Sequence, residues 1–538
     1  MKKITQYIYV PVLLCILSAC YKLEVPIKSE LTPDVFPSDS AQFLSASGPA
    51  YVALRGNISV EYFFMQTLTT DEAIFPARGG NWYNGAEFQQ LHYHNWTRDH
   101  SNVSGNWTWM STIIGTANQT LSILQKNMPE GNFKQQSLAE MRMIRALAYF
   151  MMMDNFGNVP IDTVNGDFTA KPNTPRAEVF TFIEREVKAC IPSLSGESGM
   201  STYGRANKWM AYTLLAKMYL NAEIYTGTER NNDCISACDN VIKSGLYALE
   251  PAASYLQMFY PNNGPQMKEF IFAIPFDPSW TNTFPFRGHN LHARYDIPRG
   301  LVAKYGLPFT PDAAVCTLPE YYVNFNDAND VRNGQWLTGL QFMNDGVTPA
   351  TVTTTKQGYD KFYSGSDGAA PYTYQIDLKP EVTLRQDVAS FDVGNDEIGW
   401  NMGYRNIKIF PDATSLNRNQ KNDIPYFRYS DIILMKAEAI LRGGTPTSGE
   451  TPLSLVNGLR AQRTTSAALT GVTLDDIYAE RCREFSWEGW HRNDMIRFGK
   501  YEGKWGFKTD ADINHRIFPI PTTAIQLNPA LKQNPGYQ

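Results

Sequence analysis

Cysteine is scarce in this chain, with seven in 538 residues. Cys15 and Cys20 lie near the start, while Cys190, Cys234, Cys238, Cys316 and Cys482 are scattered without regular spacing. Such a set excludes a disulfide-stapled scaffold and reads as buried, small apolar filler. Cys234 and Cys238 stand one above the other on a helix, yet no histidine or second cysteine pair completes the four ligands of a zinc site. Long hydrophobic runs are missing too: beyond the first residues, no apolar stretch approaches the ~20 residues that cross a bilayer. Charge is sparse at 19% of residues, and 48 Lys and Arg against 53 Asp and Glu give a net charge of −5. With no basic run or patch, nucleic acid is not an expected partner. No Gly-Lys phosphate loop and no Gly-x-Ser-x-Gly nucleophile turn is present, so neither chemistry has a motif behind it.

Aromatics, by contrast, are plentiful: 11 Trp, 29 Tyr and 29 Phe. The composition describes a large, mildly acidic globular protein with aromatic surface to spare. At the start, Lys2 and Lys3 precede a broadly apolar segment, Ile4 to Leu17, interrupted by Pro11. This is the anatomy of a secretory signal, too short and too broken to span a membrane. It closes on Leu17-Ser18-Ala19-Cys20, where small residues admit a peptidase and the thiol can take a diacylglycerol group. We therefore expect residues 1–19 to be a bacterial lipoprotein signal and Cys20 to be the lipid-bearing N-terminus of an exported chain. Each buried acyl CH₂ contributes about 0.8 kcal/mol, so two or three chains anchor durably.

Helical signals dominate two stretches. Ser137-Leu138-Ala139-Glu140 reads as a capping box opening a helix that ends at Gly157. Thr174-Pro175 starts the next helix, with Val179, Ile183, Val187 and Ile191 as its apolar stripe. Asn207 opens a third helix, and Asp233 a fourth that ends at Gly245. Later, Asp431 to Leu441, Thr451-Pro452 to Arg463, and Thr473 to Glu488 repeat the device. Pairs of roughly 34 to 40 residues, with Ala211, Ala216, Ala437 and Ala439 at their crossings, resemble tetratricopeptide units. About 30 to 130 mixes short helical patterns with a loop rich in Gly, Asn, His and Trp. About 250 to 425 is dense in Pro, Gly, Asn and aromatics, and in a repeat scaffold such insertions gather on one face and often bind.

Four motif groups then carry a family resemblance. Arg145-Ala146-Leu147-Ala148-Tyr149-Phe150 with Phe156-Gly157-Asn158-Val159-Pro160 is the first. Arg428-Tyr429-Ser430-Asp431-Ile432-Ile433-Leu434-Met435-Lys436-Ala437-Glu438 is the second. Glu480-Arg481-Cys482-Arg483-Glu484-Phe485 and Glu488-Gly489-Trp490-His491-Arg492-Asn493-Asp494-Met495-Ile496-Arg497 form the third. Phe518-Pro519-Ile520-Pro521 and Gln533-Asn534-Pro535-Gly536-Tyr537 complete the set. In this order, behind a lipobox, they resemble the RagB/SusD family of nutrient-binding outer-membrane lipoproteins of Bacteroidetes. The resemblance implies a mostly α fold: a right-handed superhelix of four tetratricopeptide pairs with a large irregular region packed on it. It implies one domain over 20–538, with scaffold at about 30–245 and 426–500 and a ligand-binding region at about 250–425. It further implies a lipid-anchored position at the outer membrane, facing outward. There the protein would capture an oligosaccharide or polysaccharide, less often a peptide, for a TonB-dependent transporter of the SusC type. Acidic residues soon after the lipidated cysteine aid surface export in this group, and here only Glu24 is close.

A pyranose presents an apolar C–H face and a rim of hydroxyls. An exposed Trp or Tyr covers the face, and Asn, Asp, Gln or Arg satisfies the rim. The loop Arg78-Gly79-Gly80-Asn81-Trp82-Tyr83-Asn84-Gly85 has this composition, and Trp82 matches the position of a ligand-contacting aromatic in the family. We expect Asn81, Trp82 and Tyr83 to bind ligand, with Trp280, Trp336 and Tyr363 as further platform candidates; the alternative for Trp82 is an anchor packed inward. Trp209, Trp487 and Trp490 lie in or beside capped helices and are expected to be buried. No cofactor, metal or catalytic residue is expected. Asp71-Glu72 lack the opposed geometry of a glycosidase pair, whose carboxyls stand roughly 5 to 9.5 Å apart. Glu488-x-x-His491 has a di-iron spacing without a second motif. His92, His94 and His100 lack further ligands, and Asn326-Asp327-Ala328-Asn329-Asp330 reads as a polar turn rather than a calcium loop. A surface-tethered polysaccharide hydrolase and a peptide-binding or adhesion protein remain the alternatives.

Overall fold

Two long helices occupy a region whose sequence shows only short helical patterns. In the computed structural model, which describes residues 37, 39–276, 292–355, 370–385, 387–415 and 418–537, they are Ser40–Ile58 (α1) and Ser101–Asn127 (α2). Cys20, Trp280 and Tyr363 fall outside the described residues. Ser, Gly and Pro within α1 mask its helicity, which comes from packing rather than propensity. Gly56 is essential to that packing: a Cβ there would stand 2.6 Å from Trp109 of α2. The Trp109 indole N–H in turn donates to the Ala53 carbonyl at 2.7 Å.

Numbering the principal helices onward, Asn132–Phe156 is α3, Arg176–Cys190 α4, Lys208–Leu220 α5 and Asn231–Ser244 α6. After the long insertion come Tyr429–Leu441 (α7), Pro452–Arg460 (α8), Leu474–Phe485 (α9) and His491–Arg497 (α10). Each of α1 to α8 packs on its neighbour in order, and α7 also packs on α9. The result is a mostly α superhelix of four tetratricopeptide-like pairs: α1/α2, α3/α4, α5/α6 and α7/α8. Ala211, Ala216, Ala437 and Ala439 are fully buried at the crossings.

Capping chemistry explains most of the helix starts. Asn207 Oδ1 accepts from the Trp209 and Met210 amides, and both Thr451 and Thr473 form reciprocal capping boxes. The capping box read at Ser137 is corrected: α3 starts five residues earlier, after Gly131, and Ser137 and Glu140 are buried inside it. Glu140 instead takes the Arg205 guanidinium at 2.7 Å and the Tyr51 hydroxyl at 3.0 Å. Lys134, in the first turn of α3, donates to the Gln125 and Met128 carbonyls and so stitches α3 to the end of α2.

The insertion is pinned where it leaves and returns. Strand Phe270–Ile274 (β1) pairs antiparallel with Ile424–Arg428 (β4), the two strands flanking the excursion between them. Within it, Thr351–Thr354 (β2) and Tyr372–Gln375 (β3) form an antiparallel pair, and a small separate core gathers Ile297, Leu301, Leu307, Phe309, Ala350 and Ile376.

Buried charge holds insertion and scaffold together. Arg428 at the end of β4 is wholly buried and donates to Glu269, Glu484 and Glu488. Arg463 bridges Glu269 and Glu484, and Arg332, from the insertion, pairs with Asp330, Glu480 and Glu484. Burial raises the pKa of the Glu484 carboxyl, but Arg463, Arg428 and Arg332 outweigh it and hold that pKa well below the usual range. Arg481 and Arg497 complete the lattice with Asp431, Glu438 and Asp494. The charged residues of the second and third motif groups are thus fold-holding residues.

Candidate functional site

Residues 77–86 leave the scaffold as a loop that its own residue types would not favour. Its positive-φ positions include Gly79 and Gly80, but also Trp82 at 66°, Asn84 at 46° and Ala86 at 70°. Left-handed backbone costs a residue with a Cβ about 1–2 kcal/mol, and such strain collects at functional sites. Asp392, from the insertion, holds the turn by accepting the Gly79 amide at 2.8 Å and the Gly80 amide at 2.6 Å. Ala77 bridges to Phe391 and Val393 through its backbone. Arg78 is buried, donates to the Gly399 and Ala314 carbonyls, and lies 4.9 Å over the Trp400 ring. Burial, with Arg405 nearby, brings its pKa down to about 9, still cationic at neutral pH.

This clamp sets the aromatics of the loop. Trp82 is half-buried, packed 5.4 Å from Phe75 and 6.3 Å from Tyr295, and its buried indole N–H has no partner among the described residues. Phe75 is itself stacked on Phe88 at 4.0 Å. Tyr83 beside it is 42% exposed, and Asn81 is half-buried. Trp82 is therefore both a loop anchor and part of the face, while Tyr83 stands outermost. Trp336 is corrected outright. It is buried in a cage of Tyr321, Tyr322, Phe325 and Trp487, at 5.1 Å from the Phe325 ring, and presents no surface. Trp487 and Trp490 are buried, and Trp209 is half-buried with its indole N–H on the Gly196 carbonyl. Trp280 and Tyr363 lie outside the described residues.

Three residues packed beneath and beside the loop escaped the sequence reading: Tyr295, Arg299 and Trp400. Arg299 lies 3.9 Å over the Trp400 ring, and Arg294 lies 5.1 Å over that of Tyr295. A cavity of about 230 Å³ opens beside Arg299 and Trp400, lined also by Val352, Thr354, Ile376 and Glu397 among others. No local signal marks these positions, because segments from 78, 295, 313 and 400 meet only in the folded chain.

The groups that suggested other chemistry have partners in the fold. Asp71 meets His491 at 2.6 Å; burial opposes charge on that ring, but Cys482 and Asp71 outweigh it and hold its pKa well above the ordinary value. Glu72 is buried, accepts the Trp487 amide and the Tyr321 hydroxyl, and is pushed up to about 7 by burial. Glu488 pairs with Arg428 and Lys408. His92, His94 and His100 bind the Phe507 amide, the Thr69 carbonyl and the Glu87 carbonyl respectively. Asp327 accepts from Ser466, Thr464 and the Asn329 amide. Among the described residues no group of three His, Cys, Asp or Glu is placed to hold a metal ion.

Comparison with known proteins adds a context to this geometry. A family model described as "SusD family" matches residues 213–537, and one described as "Starch-binding associating with outer membrane" matches residues 61–220. The "Starch-binding protein SusD" of Bacteroides thetaiotaomicron is 25% identical over 515 residues, covering 88% of this chain and 85% of that one. A "SusD-like protein" of Bacteroides ovatus is 24% identical over 467 residues, covering 82% and 75%. Among solved structures, a "Laminarin binding SusD-like protein" superposes with a TM-score of 0.71 at 20% identity, covering 93% of this chain and 100% of that one. "Surface glycan-binding protein A from Bacteroides thetaiotaomicron in complex with laminarihexaose" gives a TM-score of 0.69 at 18% identity, covering 92% and 99%. At these identities the structural likeness speaks for the fold.

Proposed function

The chain belongs to the SusD family, and on that premise we propose that it is a non-catalytic, lipid-anchored glycan-binding protein of the outer membrane. It captures oligosaccharide or polysaccharide at the cell surface and delivers it to a partner TonB-dependent transporter of the SusC type. One observation carries the binding role: the strained 77–86 loop, clamped by Asp392 and Arg78, that holds Trp82 half-buried with exposed Tyr83 beside it. A Trp82 ring held against Phe75 and Tyr295 loses little conformational entropy when a sugar face settles on it, which suits capture. Relatives named for starch and laminarin binding support a carbohydrate ligand. Asp71 and Glu72, the adjacent acids that raised a hydrolase, are engaged with His491, Trp487 and Tyr321, which favours a binder. The lipid anchor at Cys20 and outward orientation belong to the same reading.

The test is native electrophoresis of residues 21–538, without the lipid, through gels containing soluble polysaccharides. We expect one glycan class to retard the protein, with retardation lost in Trp82→Ala and weakened in Tyr83→Ala while folding is kept. Retardation unchanged in both variants would move the site away from this loop. No retardation by any glycan would favour a peptide ligand, and release of reducing sugar would replace the binder with a hydrolase.

A further inference from the structure

The cavity beside Trp400 is built differently from the Trp82 loop. Its walls are apolar, from Pro298, Val352, Ile376 and the Trp400 ring, whereas Arg299, Glu397, Thr354 and Asn401 supply polar groups. Gly300 lets its backbone meet the wall closely: a Cβ there would fall 2.4 Å from both Val352 and Ile376. An apolar wall with guanidinium, carboxylate, hydroxyl and amide around it matches the amphipathic surface of a sugar ring. At about 230 Å³ it lies below the roughly 300–1,000 Å³ of sites for drug-sized molecules, so it suits one ring rather than a chain segment.

Position links it to the loop. Arg78 opens the loop, lies over Trp400, and donates to the carbonyl of Ala314, the neighbour of the lining residue Ala313. Trp82 follows Arg78 by four residues, and a chain reaches at most about 3.6 Å per residue, so the two backbones are within about 14 Å. We infer that the cavity is a second subsite that takes a single sugar residue, the branch unit of a glycan whose backbone lies over Trp82 and Tyr83. This rests on the glycan-binding reading above. Glu397 accepts hydroxyls of the branch unit, Arg299 donates to them, and the aliphatic wall of Pro298, Val352 and Ile376 meets its C–H groups.

The experiment compares wild type with Glu397→Gln and with Thr354→Trp, which fills the cavity from the side of β2 that carries Val352. Branched polymers and linear oligosaccharides of matching linkage are the probes: laminarin with laminarihexaose, amylopectin with maltohexaose, and galactomannan with mannohexaose. Retention by the polymers is read in native gels and oligosaccharide affinity by calorimetry. We expect both variants to weaken the retained branched polymer at least tenfold and to leave the linear partner within twofold, while Trp82→Ala weakens both. Equal retention in wild type and both variants overturns the subsite and leaves the binding role standing. Equal weakening of branched and linear probes overturns the branch assignment. Wild type bound by none of the probes removes the glycan reading itself and this inference with it.

Discussion

Replacing Arg428 with Met tests whether the strongest motif residues serve the fold or the ligand. The guanidinium is fully buried and donates to Glu269, Glu484, Glu488, Ser430 and the Glu484 carbonyl at 2.7–3.0 Å. Removing one partner of a buried ion pair costs about 3–5 kcal/mol, because the charge left behind stays desolvated. Here the carboxylates keep other cations: Arg463 for Glu269, Arg463 and Arg332 for Glu484, and Lys408 for Glu488. That places the cost at the lower end, about 3 kcal/mol near neutral pH. The Glu484 pKa lies well below its unfolded value in the wild type, so its stabilisation is present above the unfolded pKa and is lost as pH falls through the folded one. The deficit of Arg428→Met against wild type therefore narrows in acid, where the stranded carboxylates take protons. The control is Lys500→Met, whose partner Asp475 stands 3.0 Å away on an exposed surface, a class of pair contributing about 0–1 kcal/mol. Urea unfolding followed by tryptophan fluorescence, with coincidence of a second probe checked first, reads both. A cost for Arg428→Met indistinguishable from that of Lys500→Met would refute the reasoning. So would a normally stable variant that no longer binds glycan.

Three further outcomes follow from single sites. Trp336→Ala should cost about 3–5 kcal/mol in unfolding yet leave glycan retention per folded molecule unchanged, since the ring is enclosed by Tyr321, Tyr322, Phe325 and Trp487; selective loss of binding at full stability would contradict its burial. The Glu72 carboxyl is pushed up to about 7 by burial, so it favours the protonated native state and its contribution declines as pH rises from about 4.5 to 7, by about 3 kcal/mol at 1.36 per unit. Glu72→Gln should flatten that part of the stability profile, and an identical slope in urea midpoints between pH 5 and 8 would show the group is not responsible. Cys190, Cys234, Cys238, Cys316 and Cys482 are all buried, and burial pushes the Cys190 thiol up to about 11, so a thiol reagent should label them only after denaturation; labelling of the native protein within minutes would contradict that arrangement.

Local rules carried part of the fold and failed at identifiable places. Caps at Asn207, Thr451 and Thr473 are short-range chemistry, and the folded chain uses all three. Ser137 and Glu140 satisfy the same pattern, but Glu140 finds Arg205 and Tyr51, far off in sequence, and the helix runs through. The helix Ser40–Ile58 hides behind Ser, Gly and Pro because its stability lies in contact with Ser101–Asn127, where Gly56 admits Trp109.

By itself the sequence determined the lipobox expectation, the helical repeat, the family and a loop of sugar-binding composition, because each is written in neighbouring residues or in a helical period. Only the tertiary structure decided which aromatics reach the surface: Tyr83 does, Trp82 partly, and Trp336 not at all. It alone gave the motif charges their task, since Glu269, Arg332, Arg428, Arg463 and Glu484 share no period and meet only after folding. It alone brought Arg78, Arg299 and Trp400 to one cavity edge. The physical reason is the same throughout. Burial and ion pairing depend on what arrives from distant parts of the chain, and residue order carries no local mark of that.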